Sequence, residues 1–120
     1  MNPKVNYTYP AKLVRVIDGD TAVLLIDLGF YTSTTQHVRI KGYNAPELYG
    51  TNAALAQKAK FELEKLIVGK PLVVQTTKSF SQSFARYLAD VYVLEQTGAV
   101  SVAKHMISAG FDLEQSNGIS

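Results

Sequence analysis

Short β-branched runs separated by turn residues dominate the first third of the chain. Lys12–Ile17 (KLVRVI) reads as a strand that stops at Asp18-Gly19-Asp20, a strong turn signal. Thr21–Leu28 (TAVLLIDL) follows as a second strand and ends at Gly29. In Thr34–Lys41, Val38 and Ile40 alternate with His37, Arg39 and Lys41, which puts Arg39 on the face opposite the two aliphatics. The period then changes. Between Thr51 and Val68, Ala56, Ala59, Leu63, Leu66 and Ile67 form one apolar stripe at helical spacing. Thr51 or Asn52 suits the N-cap, and Gly69 followed by Pro71 ends the helix. Leu72–Thr77 and Tyr87–Leu94 supply two more strands. Ser101–Ala109 predicts a short helix capped by Ser101, with Val102, Met106 and Ala109 inward. The order β-β-β-α-β-β-α is that of a five-stranded Greek-key OB barrel, with one helix between strands three and four and a short C-terminal helix.

The chain has 120 residues, 47% of them apolar and 18% charged, which fits one globular domain spanning 1–120. Its core is expected over about 11–112, with flexible tails at 1–10 and 113–120. No apolar run approaches the roughly 18 residues of a membrane span, and the polar start, with Pro3 and Pro10, lacks the hydrophobic segment of a secretory signal. The expectation is a cytoplasmic monomer without a membrane partner, or else the mature form of a secreted protein. The absence of cysteine excludes disulfides, thiolate catalysis and Cys-ligated zinc. A net charge of +2 with scattered Lys and Arg argues for a focused site over a basic coat, if nucleic acid is the partner.

Three segments carry polar residues that folding does not need: Asp18-Gly19-Asp20-Thr21, the run Arg39 to Glu47 (RIKGYNAPE), and Arg86. Together they offer carboxylates, an amide, backbone carbonyls and two guanidiniums, which is the set that phosphodiester hydrolysis requires. Hard oxygens hold Ca²⁺ or Mg²⁺. Arginine forks grip phosphate oxygens and stabilise the charge of the five-coordinate transition state. A carboxylate can position or deprotonate water. Each piece also has a plain reading. Asp-Gly-Asp is default turn chemistry. Arg39 and Arg86 would serve equally as solvated surface cations, and Glu47 as a cap before the helix.

Taken in register, IDGDT, the stretch R-x-K-x-x-N-x-P-E, the DLGF after strand two and an Arg leading into LADVYV resemble staphylococcal nuclease and its shorter phage-type relatives. The likeness runs from about Lys12 to Phe111. It implies a calcium-dependent nuclease that cuts single-stranded DNA or RNA and leaves 3′-phosphates. By that resemblance Asp20 is the first metal-ligating carboxylate, and Asp18 reaches the metal through water. Asn44 stands where a second metal-ligating Asp is expected, and Ala45 where a backbone carbonyl meets the metal. Glu47 falls on the general base, and Arg39 and Arg86 on the two phosphate-gripping arginines.

The pattern is not followed throughout. Asn44 removes one negative charge from the metal site, which implies weaker calcium binding. Phe84-Ala85-Arg86 stands where relatives often read Tyr-Gly-Arg, so Phe84 keeps a ring for base stacking but lacks the hydroxyl. Ser79–Ser83 has no charge, and the family's last helix is missing or reduced to 112–120. Tyr43 and Tyr49 flank the Asn44–Glu47 loop and are further candidates for substrate contact, whereas Tyr7, Tyr9 and Tyr31 read as surface or edge packing. His105 is expected to be solvated, and His37 shares the face of Arg39. A catalytically weak or inactive OB module that binds single strands or a protein partner is the alternative.

Overall fold

The computed structural model describes residues 6–46, 53–81 and 86–112, without the side chains of 77–81 and 86. Six strands and two helices follow in the order β1 (Thr8–Asp18), β2 (Thr21–Gly29), β3 (Thr32–Ile40), α1 (Ala53–Ile67), β4 (Leu72–Ser81), β5 (Arg86–Glu95), β6 (Gly98–Ser101) and α2 (Val102–Ser108). β1, β2 and β3 form an antiparallel meander, and β4 pairs with both β1 and β5. A parallel pairing of β3 with β5, Arg39 opposite Leu88, closes the five strands into a barrel. The connectivity 1-2-3-5-4-1 is that of an OB-like barrel, with α1 inserted between β3 and β4.

The bends needed for closure are visible in β1. Its register against β2 shifts between Leu13 and Arg15 and again between Val16 and Asp18. Such bulges turn a strand sharply, and here they let its first residues, Thr8–Ala11, pair with β4 while the rest pairs with β2. Inward-facing Ala22, Leu24, Ile26, Val38, Ile40, Val74, Ala89, Val91 and Val93 fill the barrel, as the period-2 alternation of the strands dictates. The buried residues of α1 are Ala56, Ala59, Leu63, Leu66 and Ile67, the stripe that helical spacing predicts. Gly69 at φ 70 takes the left-handed position after the last turn, where a side chain would be strained. Ser101 caps α2, accepting the Lys104 N–H at 3.3 Å.

Several local expectations are corrected. β1 starts at Thr8, inside the stretch 1–10 expected as a tail; Pro10 lies opposite Val73 of β4. β4 runs on to Ser81, and β6 adds a hairpin strand against β5. Ala109 is exposed at the C-cap of α2 instead of facing inward. His105 is not simply solvated: its Nε2 lies 3.1 Å from Glu62 Oε2, joining α2 to α1. His37 is exposed on β3 opposite Val23. None of the described helices is long and apolar enough to cross a membrane.

Candidate active site

The turn between β1 and β2 and the segment after β3 meet at one end of the barrel. The turn is built around Asp18, whose Oδ1 accepts the Asp20 N–H at 3.1 Å, an Asx turn that the Asp-Gly-Asp sequence favours. Gly19 is needed for space. A Cβ there would fall 2.8 Å from the Cβ atoms of both Ala45 and Ala59, so only glycine lets the turn lie against α1 and the 43–46 segment. The Tyr43 hydroxyl donates to the Gly19 carbonyl and holds the turn from its other side.

Asp20 ends the turn just before β2 and is nearly closed off, 8% exposed. Its Oδ2 accepts the Ala45 N–H at 3.1 Å, and its Oδ1 accepts the Thr21 hydroxyl at 3.1 Å. The Asp20 carbonyl accepts the Ile40 N–H at 2.8 Å, which fixes the end of β3 beside it. Val38 and Ile40 are buried inside the barrel, so Arg39 between them projects outward, as alternation requires. The Arg39 Nη2 lies 3.6 Å from Asp20 Oδ2 and also donates to Asn44 Oδ1. Two oxygens expected as metal ligands therefore converge on one nitrogen. The Asn44 N–H in turn donates to Asp112 Oδ1 at 3.4 Å. Arg39, Lys41, Asn44, Leu88 and Asp112 line an open, mainly polar depression of about 300 Å³.

Burial raises the Asp20 carboxyl to about 6, helped by its hydrogen bond to Asp18 and the Asp18 charge; the Ala45 N–H and Arg39 pull the other way but lose. Burial likewise pushes the Tyr43 phenol up, with Asp20 and Asp18 adding to the effect, so the phenol stays a proton donor. The two acids thus share a site whose negative charge Arg39 only partly offsets. An added cation would relieve that excess, and the donor set is entirely hard oxygen, which fits calcium. Asp20, the Asn44 amide oxygen and the Ala45 carbonyl are the groups that could hold it, with Asp18 one step behind. Among the described residues no group of three or more His, Asp or Glu gathers as a ready-made metal cluster.

Asp18, Asp20, Arg39, Asn44 and Ala45 are therefore brought together. Tyr43 is corrected: it is buried, and its hydroxyl is committed to Gly19, which makes it a support of the turn instead of a platform for a base. Arg86 begins β5, two residues before the Leu88 that pairs with Arg39; its side chain lies outside the described part. Glu47, Tyr49 and Phe84 also lie outside the described residues. The sequence reading missed Asp112 and the Ala45 N–H as partners of the site, and singled out Thr21 without its hydrogen bond to Asp20. That bond joins neighbours in sequence and could have been suspected, whereas nothing local points from Asp112 to Asn44. No known family model matches this chain, and no curated protein matches it.

Proposed function

We propose that the chain is a calcium-dependent nuclease that hydrolyses phosphodiester bonds of DNA or RNA, preferring single strands and leaving 3′-phosphates. The observation that carries this reading is the convergence of the buried Asp20 carboxylate and the Asn44 amide oxygen on the Arg39 guanidinium, with Arg39 and Asn44 lining one open depression. A non-bridging phosphate oxygen can replace the Asn44 oxygen as acceptor from Arg39, and the bond strengthens as charge builds in the transition state. Arg86 would add a second guanidinium, and Glu47 would position or deprotonate the attacking water. Asp20, Asn44 and the Ala45 carbonyl would hold the calcium ion. When bound, that ion supplies positive charge to the phosphate. Tyr43 and Asp18 keep the turn in shape and take no part in bond making.

A second reading is a non-catalytic OB module that binds single strands or a protein partner. What favours it is that the Arg39 guanidinium already engages both oxygens at which a cation would bind. Incubating the protein with heat-denatured DNA in calcium or in EGTA separates the two. Cleavage that requires calcium, is lost in Arg39→Ala and leaves 3′-phosphate ends supports the enzyme. Equal strand binding under both conditions with no product supports the module.

A further inference from the structure

The β2–β3 hairpin ends in a feature that neither folding nor the candidate active site explains. Gly29 pairs with Thr32, so Phe30 and Tyr31 alone form a two-residue loop, both at positive φ (56 and 58). A loop of this kind needs φ > 0 at both central positions and is normally built from Asn-Gly or Asp-Gly, because other side chains strain there. Here two aromatic residues occupy it, and both are fully exposed, at 98% and 108%. Neither ring gains packing that would offset the strain. Large rings held at a strained and unpacked tip are suited to contact something outside the chain.

Chemistry beside the tip narrows what that is. Tyr31 borders an open groove of about 650 Å³, within the range of small-ligand sites. Lys12 and Lys70 stand in its lining together with Pro10, Leu25 and Pro71. Asp27 lines it too, its carboxylate accepting the Gly29 N–H at 2.8 Å, so the two lysines leave the lining with one net positive charge. Exposed rings next to a groove edged with lysines form the pairing of stacking surface and cationic track by which proteins hold single-stranded nucleic acid. A lipid surface would use the protruding rings and the lysines but leave the groove without a role.

We propose that Phe30, Tyr31, Lys12 and Lys70 form a second single-strand-binding site, with bases stacked on the two rings and phosphates drawn to the lysines. It lies at the far end of β2 from Asp20, roughly 27 Å along the strand at the usual rise, and it needs no metal. The preference for a nucleic-acid strand leans on the function proposed above, although the site itself is independent of that chemistry.

The test is fluorescence anisotropy of a labelled oligothymidylate, about 20 nucleotides long, with the full chain in EDTA. Phe30→Asn combined with Tyr31→Gly should raise the melting temperature, because the turn then has its preferred residues, and weaken binding by about tenfold or more. Lys12→Gln with Lys70→Gln should flatten the slope of log affinity against log salt by about 1.4. Unchanged affinity in the stabilised Asn-Gly variant overturns the inference, as does a parent that binds no oligonucleotide. So does tip-dependent sedimentation with phosphatidylserine vesicles when strand binding is unaffected by the tip. Tip-dependent binding by a chain that never cleaves in calcium would instead remove the nuclease proposal and leave this site standing.

Discussion

Arg39 stands 3.6 Å from the buried carboxylate of Asp20, and through the same nitrogen it donates to Asn44. The guanidinium thus sits between the two oxygens proposed as calcium ligands. Removing it frees both. For Arg39→Ala we expect calcium to bind several-fold more tightly at pH 8, about 5-fold if the repulsion removed is near 1 kcal/mol. Calorimetric titration of calcium into both proteins measures this, and weaker binding by the variant contradicts it.

Asn44 holds a neutral amide where a carboxylate would add charge. Asn44→Asp keeps the oxygen and adds a negative charge facing Arg39 and Asp20. Calcium affinity should rise, by about tenfold if one added ligand charge gains near 1.4 kcal/mol. A variant whose activity and binding need as much calcium as the parent's would show that residue 44 is not a ligand.

The raised Asp20 carboxyl makes stability depend on pH in a definite direction. Its folded value of about 6 lies above the usual unfolded value near 3.9, so the fold holds the proton more tightly than the open chain does. The stabilisation is present at acid pH and is lost as pH rises through about 6. In EDTA, the parent should lose about 1.4 kcal/mol relative to Asp20→Asn between pH 5 and pH 7.5. Urea unfolding of both proteins at the two pH values reads the difference. A parent that gains stability relative to Asp20→Asn as pH rises would mean that Arg39 outweighs burial.

Gly19 is fixed by space alone, its Cβ direction being filled by Ala45 and Ala59 at 2.8 Å. Gly19→Ala must push the turn away from α1 and the 43–46 segment together. We expect a loss of about 1–3 kcal/mol, or roughly 5–15 °C in melting temperature, with weaker calcium binding because Asp20 moves with the turn. Thermal unfolding and calcium titration check the two effects, and an unchanged melting temperature would rule out the close packing.

Much of this architecture is legible in the chain itself. The α1 stripe from Ala56 to Ile67 and the alternation that turns Arg39 outward follow from periodicity, and both appear where spacing puts them. β6 escapes because Gly98–Ser101 is four residues long and has no apolar alternation to mark it. The start of β1 escapes because Pro10 argues against a strand, and only the pairing with Val73 reveals one. At the site, Asp20 and Arg39 are visible as residue types, but the contacts that define their chemistry are long-range. The Ala45 N–H on Asp20, Tyr43 on Gly19 and Asp112 on Asn44 link positions 25, 24 and 68 apart in sequence, and no local pattern encodes them.

The central claim is that Arg39 acts on phosphate in the transition state, and paired rate and binding measurements on Arg39→Ala test it most directly. The rate of cleaving a labelled single strand in saturating calcium should fall about 100-fold or more, as when a preorganised charge donor is removed, while the dissociation constant of the same strand in EGTA changes only a few-fold. Equal rates in parent and variant, or a loss confined to binding, would contradict the account.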